Sequence, residues 1–200
     1  QRGTSPRAGE EVLEFEKIEV ATPGFLNFWL AEKMVRDAVQ KINQEKNNFG
    51  SSEIGAGKKI HLDFVSANPT GPVHIGNARG GPLGDTLANV FQKTGYEPFR
   101  EYYVNDVGNQ VEILGHSILG DSEAQYNGEY IEELKKRIGE KDPRKAGEQA
   151  VKIILEDYIK PSMEKFGIKF DNWFSEKDLQ ESGKVDEVIS ILKEKDLVYE

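Results

Sequence analysis

Cysteine is absent from the 200 residues, so no disulfide or thiolate zinc site can contribute to the fold, and a reducing, cytoplasmic setting is expected. No apolar run approaches the roughly 18 residues that a membrane span needs, and no membrane partner is expected. The amino end has no signal-peptide core. It also has no Met, and residues 1–9, polar with Gly and Pro, are expected to be a disordered lead-in to a processed or excised chain. Positive charge is in deficit: 26 Lys and Arg stand against 35 Asp and Glu, a net charge of −9. That excludes a chain-wide basic surface for nucleic acid, though one local basic face would be enough to hold RNA. The local candidate is Lys135-Lys136-Arg137 with Lys141, Arg144 and Lys145. Glu132, Glu133 and Glu140 interleave with it, so a solvated helix face is expected. What is present, 37% hydrophobic and 30% charged residues, suits a soluble globular chain of one medium domain or one and a half small ones.

Apolar and charged residues alternate from Val12 through Phe15 and Ile18 to Val20, the pattern of a half-exposed strand. A turn at 21–24 and a β-prone run at 24–30 follow, in which Phe25, Phe28 and Trp29 are expected to form domain core. Met34, Val35, Ala38, Val39 and Ile42 then predict a helix over 31–46. Residues 47–57, with two Asn, two Ser and three Gly, read as a linker. The expected division is therefore 1–50, the lead-in and the end of a small α+β amino-terminal domain, and 51–200, part of an α/β domain. Within the latter, strands are expected at 59–65 and 97–105, joined by a helix over 77–94 whose apolar face is Leu83, Leu87, Val90 and Phe91 and whose C-cap is Gly95. Strand, crossover helix and strand predict a right-handed βαβ unit with parallel strands. Helices are expected at 109–119 and, within a helical insertion over about 121–167, at 129–138, 144–158 and 161–166. A strand at 169–174 and a helix at 184–195 complete the pattern, and 197–200 start a further element.

The stretch 61–81, His-Leu-Asp-Phe-Val-Ser-Ala-Asn-Pro-Thr-Gly-Pro-Val-His-Ile-Gly-Asn-Ala-Arg-Gly-Gly, holds most of the chemistry. A β-type run enters a loop set by Asn68-Pro69 and Gly71-Pro72, which delivers His74 and Asn77 to a helix start. Three residues apart, these two share a face there. A helix start offers N–H groups and partial positive charge to an anion. Gly76 leaves room for a bulky planar group or phosphate to approach the backbone. Imidazole and amide donors suit charge developing on a phosphorus-bound oxygen. Ser66 and Asn68 sit at the strand's carboxyl end, where open α/β sheets place ligands. The two Asn-Pro and Gly-Pro pairs would equally make an ordinary turn, and a lone His-x-Gly-Asn is a short motif.

The longer context is more specific. Residues 19–28, Glu-Val-Ala-Thr-Pro-Gly-Phe-Leu-Asn-Phe, the stretch 65–81 with Gly84-Asp85, Gly95-Tyr96, and Arg-Glu-Tyr-Tyr-Val-Asn-Asp-Val-Gly-Asn-Gln at 100–110 together resemble arginyl-tRNA synthetases, members of the class I aminoacyl-tRNA synthetases. His74-Ile75-Gly76-Asn77 resembles the "HIGH" signature, with Asn77 in place of its second His. The resemblance implies a Rossmann-like catalytic domain, of which the chain would hold the first half. It implies arginine activation with ATP and Mg2+ and transfer to tRNA(Arg). Ser66, Asn68 and Asn77 would contact L-arginine, and His74, Gly76 and Asn77 would contact ATP, with His74 and Asn77 as the catalytic donors. No metal ligand is assigned. Asp63 is placed near the amino-acid pocket or as an ordinary strand-end residue, and Asp106 and Gln110 are either site or capping residues. Asp85 is expected to pack or cap its helix, and His61 and His116 to be structural, with no partner named.

The family's second signature, a Lys-Met-Ser-Lys-Ser loop, does not occur before Glu200, and Thr70 to Val73 carry no Lys in its stead. The chain is therefore read as the front half of an enzyme, expected to be inactive alone and monomeric within a full-length parent. The alternatives are a non-catalytic truncated or paralogous binding module, and another class I synthetase or nucleotidyltransferase.

Overall fold

The structure is a computed structural model that describes residues 15–198. The lead-in at 1–9, the strand positions Val12 and Leu13, and the last two residues of 197–200 lie outside the described residues. Two compact units divide the chain, Gln1–Ser51 and Ser52–Glu200.

In the first unit, strand β1 (Phe15–Ala21) pairs antiparallel with β2 (Phe25–Leu30), with Ile18 opposite Phe28. Helix α1 (Glu32–Glu45) follows and carries Glu32–Arg36 and Lys33–Asp37 ion pairs four residues apart, at 2.6 and 2.7 Å. The expectation that Phe25, Phe28 and Trp29 form core is not met. They are 63%, 51% and 41% exposed. A two-stranded ribbon offers each side chain little beyond its cross-strand and diagonal neighbours, here the Lys17 ammonium 4.7 Å over Trp29 and, diagonally, Phe15 against Phe28 at 5.1 Å.

The second unit is built on a parallel sheet of order β3-β4-β5, with β3 at Lys59–Asp63, β4 at Glu97–Val104 and β5 at Asn172–Ser175. Lys59 pairs with Glu97 and Asp63 with Glu101, so the two strands expected to be parallel neighbours are so. The crossover between them is two helices instead of one: α2 (Ile75–Ala78) and α3 (Gly80–Lys93). Pro82 has no N–H to give to the carbonyl of Ala78, which interrupts the ladder. The expected apolar face of α3 is also wrong. Leu83, Leu87 and Val90 are exposed, and the buried side is Gly81, Gly84 and Ala88. A Cβ on Gly84 would lie 2.3 Å from the Phe64 ring and one on Gly81 2.4 Å from Ile168, so the helix lies too close to its neighbours for larger residues.

Between β4 and β5 run α4 (Asn109–Leu119), α5 (Glu129–Arg137), α6 (Pro143–Ile154) and α7 (Lys160–Lys165). A widened helical turn at Leu155–Ile159 joins α6 to α7 just before Pro161, whose ring crowds the carbonyl four residues back. The core lies here: Leu114, Leu134, Ala146, Ala150, Ile154 and Ile159 are fully buried, with Tyr102 of β4 stacked on Trp173 at 4.5 Å. Helices α4 and α6 meet through glycine. A Cβ on Gly115 would fall 1.7 Å from the Pro143 carbonyl oxygen, and one on Gly147 1.9 Å from that of Val111. Helices α8 (Glu176–Glu181) and α9 (Lys184–Glu194) follow β5. The sequence reading did not include α8. Its N-cap is the Ser175 hydroxyl, which accepts the Asp178 N–H at 3.0 Å.

Candidate functional site

The site begins where β3 ends. Val65 and Ser66 take φ of +67° and +37°, the left-handed region that a β-branched residue avoids. The Ser66 N–H donates to the Phe64 carbonyl at 3.0 Å, closing a tight three-residue turn around Val65. Strain of this kind persists where surrounding contacts fix it. The Ser66 hydroxyl donates to Asp63 and accepts the Tyr103 N–H at 3.0 Å. The chain then leaves the sheet, held by the Tyr102 hydroxyl, which donates to the Ala67 carbonyl at 2.8 Å. Burial pushes the Tyr102 phenol far up, so it stays protonated and a donor.

Further along the loop, the Asn68 amide donates to Gln110 Oε1 on α4 at 2.7 Å. The Tyr130 hydroxyl on α5 donates to the Thr70 carbonyl at 3.1 Å. His74 caps α2, its Nδ1 accepting the Gly76 N–H at 3.1 Å. In the neutral ring the proton therefore sits on Nε2, and that nitrogen is the donor left for a ligand. A Cβ on Gly76 would lie 3.0 Å from both Cε1 and Nδ1 of that ring, which is why the position is small. The free helix-start N–H groups expected here are partly engaged: besides Gly76, the Asn77 and Ala78 N–H groups donate to the His74 carbonyl at 3.0 Å. The helix start therefore offers side chains more than backbone.

A polar cavity of about 330 Å3 collects Asn68, His74 and Asn77 on one side and Tyr126 and Tyr130 on the other. Gly76 does not line it and abuts the His74 ring. Ser66 does not line it; its hydroxyl is tied to the strand end. A larger cavity of about 400 Å3, lined by Met163, Ile168, Phe170 and Trp173, holds none of the candidate residues.

The residues left open in the sequence acquire distinct places. Asp106 accepts from the Ser175 hydroxyl at 2.6 Å and the Lys177 N–H at 2.9 Å, so it caps α8. Gln110 orients Asn68. Asp85 accepts from Asn89 at 2.9 Å and lies 3.7 Å from Arg100. Both histidines without a named partner have one: His61 Nε2 is 3.2 Å from Glu101, and His116 Nδ1 is 2.8 Å from Asp121. The hydrogen bond to Asp121 raises the His116 pKa and lowers that of Asp121. In the basic run, Lys135 and Arg137 are ion-paired with Glu132 and Asp157, each at 2.7 Å, and Arg144 lies 3.8 Å from Glu148.

Sequence reasoning missed Tyr126 and Tyr130. The Tyr-x-x-x-Tyr spacing at a helix start was a visible signal, but nothing in it pointed to a loop more than fifty residues earlier.

A parallel sheet that sheds a polar loop at a strand's carboxyl end and leads it into a crossover helix defines an α/β protein with a ligand crevice at that edge. Comparison with known proteins narrows the class. The family model described as "tRNA synthetases class I (R), catalytic domain" matches residues 38–142, and the chain belongs to that family. It is 39% identical over 207 residues to the arginine–tRNA ligase of Shouchella clausii. It is 40% identical over 209 residues to that of Acetivibrio thermocellus. Each pairing covers 92% of this chain and 37% of the relative, so the chain spans little more than a third of the length of these relatives. A crystal structure from Campylobacter jejuni assigned to arginyl-tRNA synthetase superposes with a TM-score of 0.73 at 33% identity, covering 86% of this chain and 42% of that one. The Plasmodium falciparum arginyl-tRNA synthetase shares the fold, at a TM-score of 0.57 and 18% identity over 96% of this chain and 38% of that one.

Proposed function

We propose that the chain supplies the ATP- and arginine-binding part of an arginine–tRNA ligase. An oxygen of the arginine carboxylate attacks the α-phosphorus of ATP, the new O–P bond forms, and the bond to the β-phosphate oxygen breaks to release pyrophosphate. The arginyl group then passes to the 3′ end of tRNA(Arg). The observation that carries this reading is the convergence of Asn68, His74 and Asn77 on one cavity beside Gln110.

The His74 Nε2–H donates to a phosphate oxygen as charge grows on it, its ring held by the Gly76 N–H. The small Gly76 lets the nucleotide approach. Asn77 donates at the junction of ATP and arginine, and Asn68, aimed by Gln110, holds the amino acid, while Ser66 fixes the strand end behind it. These groups position reactants and stabilise charge, and no covalent nucleophile is required. The described residues bring together no group of three His, Cys, Asp or Glu that could hold a metal ion. Magnesium is taken in with ATP as part of the substrate. No helix among the described residues is long and apolar enough to cross a membrane.

Arginine-dependent exchange of pyrophosphate into ATP, assayed across the amino acids with a full-length enzyme carrying this chain, tests the reading. Exchange with arginine and not with the other amino acids is expected. Exchange driven by a different amino acid, or none, would overturn it.

A further inference from the structure

The loop that carries the candidate donors has a soft middle. Pro69 and Pro72 fix φ on either side of Thr70-Gly71, and Gly71 is the most permissive residue of the four. Asn68 stands before this pair, anchored to Gln110 at 2.7 Å, and His74 stands after it. The geometry between the two donors therefore depends on what holds Thr70 and Gly71. Tyr130 holds both. Its hydroxyl donates to the Thr70 carbonyl at 3.1 Å. Its ring lies against Gly71, where a Cβ would be 3.2 Å from Cζ and Oη.

Tyr130 is itself built in. It is half-buried against the helical core at the start of α5. The segment leading to it is tied by the buried Ser117 hydroxyl, which accepts the Gln125 N–H at 3.1 Å and the Tyr126 N–H at 2.9 Å. The helical segment is thus a wall of the site.

We propose that Tyr130 is a positioning residue for amino-acid activation, fixing Thr70-Gly71 so that the His74 donor meets the reacting phosphate. The inference rests on the arginine-activation reading above. It predicts that Tyr130 acts through His74.

The test is a double-mutant cycle of Tyr130→Phe and His74→Ala in the full-length enzyme, read by arginine-dependent pyrophosphate exchange. Tyr130→Phe keeps the ring and is expected to lower kcat about tenfold while the arginine KM moves by less than about twofold. In the His74→Ala background the same change is expected to cost less than about twofold, because the donor it aims is gone. Gly71→Ala, which displaces the ring from the loop side, is expected to show the same loss of effect. A loss of equal size in both backgrounds, or no loss in either, would overturn the inference and leave the arginine reading standing. Absence of arginine-dependent exchange by the unaltered enzyme would overturn both.

Discussion

The loop over 64–78 and the α4–α6 pair are opposites. The loop carries two non-glycine residues at positive φ and keeps Asn68 and His74 exposed. It is held by single hydrogen bonds, from the Tyr102 and Tyr130 hydroxyls to its carbonyls and from its own Asn68 amide to Gln110. The helix pair buries Leu114, Ala146 and Ala150 completely and meets backbone to backbone at Gly115 and Gly147. One region spends its residues on chemistry and borrows its geometry from outside, while the other spends them on contact and supplies geometry to the rest. Damage to the helix pair should therefore appear as lost folding, and damage to the loop as lost rate.

Gly147→Ala should have the largest effect. With a Cβ 1.9 Å from the Val111 carbonyl oxygen the helices must part, at a cost of about 4 kcal/mol in stability, a large share of the roughly 5–15 kcal/mol of a domain. Denaturant unfolding measures this, and a change below about 1 kcal/mol would show that the pair is not rigid. His74→Ala should lower exchange about a hundredfold, near 3 kcal/mol, with little change in the melting temperature. A rate within about twofold of normal would break the contrast from the other side. Ser117→Ala leaves two N–H groups without their acceptor and should cost about 2 kcal/mol, felt first as faster amide exchange at Gln125 and Tyr126. Asn68→Ala should raise the arginine KM about tenfold with kcat nearly kept, as expected of a binding contact.

The smallest effect is that of pH on the His116–Asp121 pair. The raised His116 pKa contributes stability that is fully present below the ordinary value of 6.5 and is lost as pH rises through the folded value. The lowered Asp121 pKa contributes above the ordinary 3.8 and is lost as pH falls. Protection of the Tyr126 amide should therefore be greatest between these values and decline toward alkaline pH. A pH-independent protection would show that Ser117 alone holds the segment.

The contrast also explains what the sequence made legible. The βαβ unit could be read because alternation, Gly-Pro punctuation and Gly95 as a stop all act locally. Helix α4 was legible to the residue, from 109 to 119, because Gly108 and Gly120 flank it. The apolar stripe Leu83, Leu87 and Val90 misled, because periodicity reports an apolar face without saying what covers it, and the buried side of α3 is made of glycine and alanine. Gly115 and Gly147 gave no signal, since their role is the space they leave. His74, Asn68 and Asn77 could be named from their motif and Gln110 as a site or capping residue, whereas the contacts that Gln110 and Tyr130 make with the loop cross 42 and 60 residues of chain, a distance that no local pattern spans.

One consequence follows from the Ser66 hydroxyl at the end of β3. Between Asp63 and Glu101 the two strands are still in register, but by Tyr103 the acceptor of the strand N–H is a side chain and no longer a carbonyl. The sheet is unzipped there by one rung, with a hydroxyl as the slider. The seam between the strand ends is parted there and clasped by a single side-chain oxygen. Ser66→Ala would take away the clasp and leave the Tyr103 N–H without its acceptor.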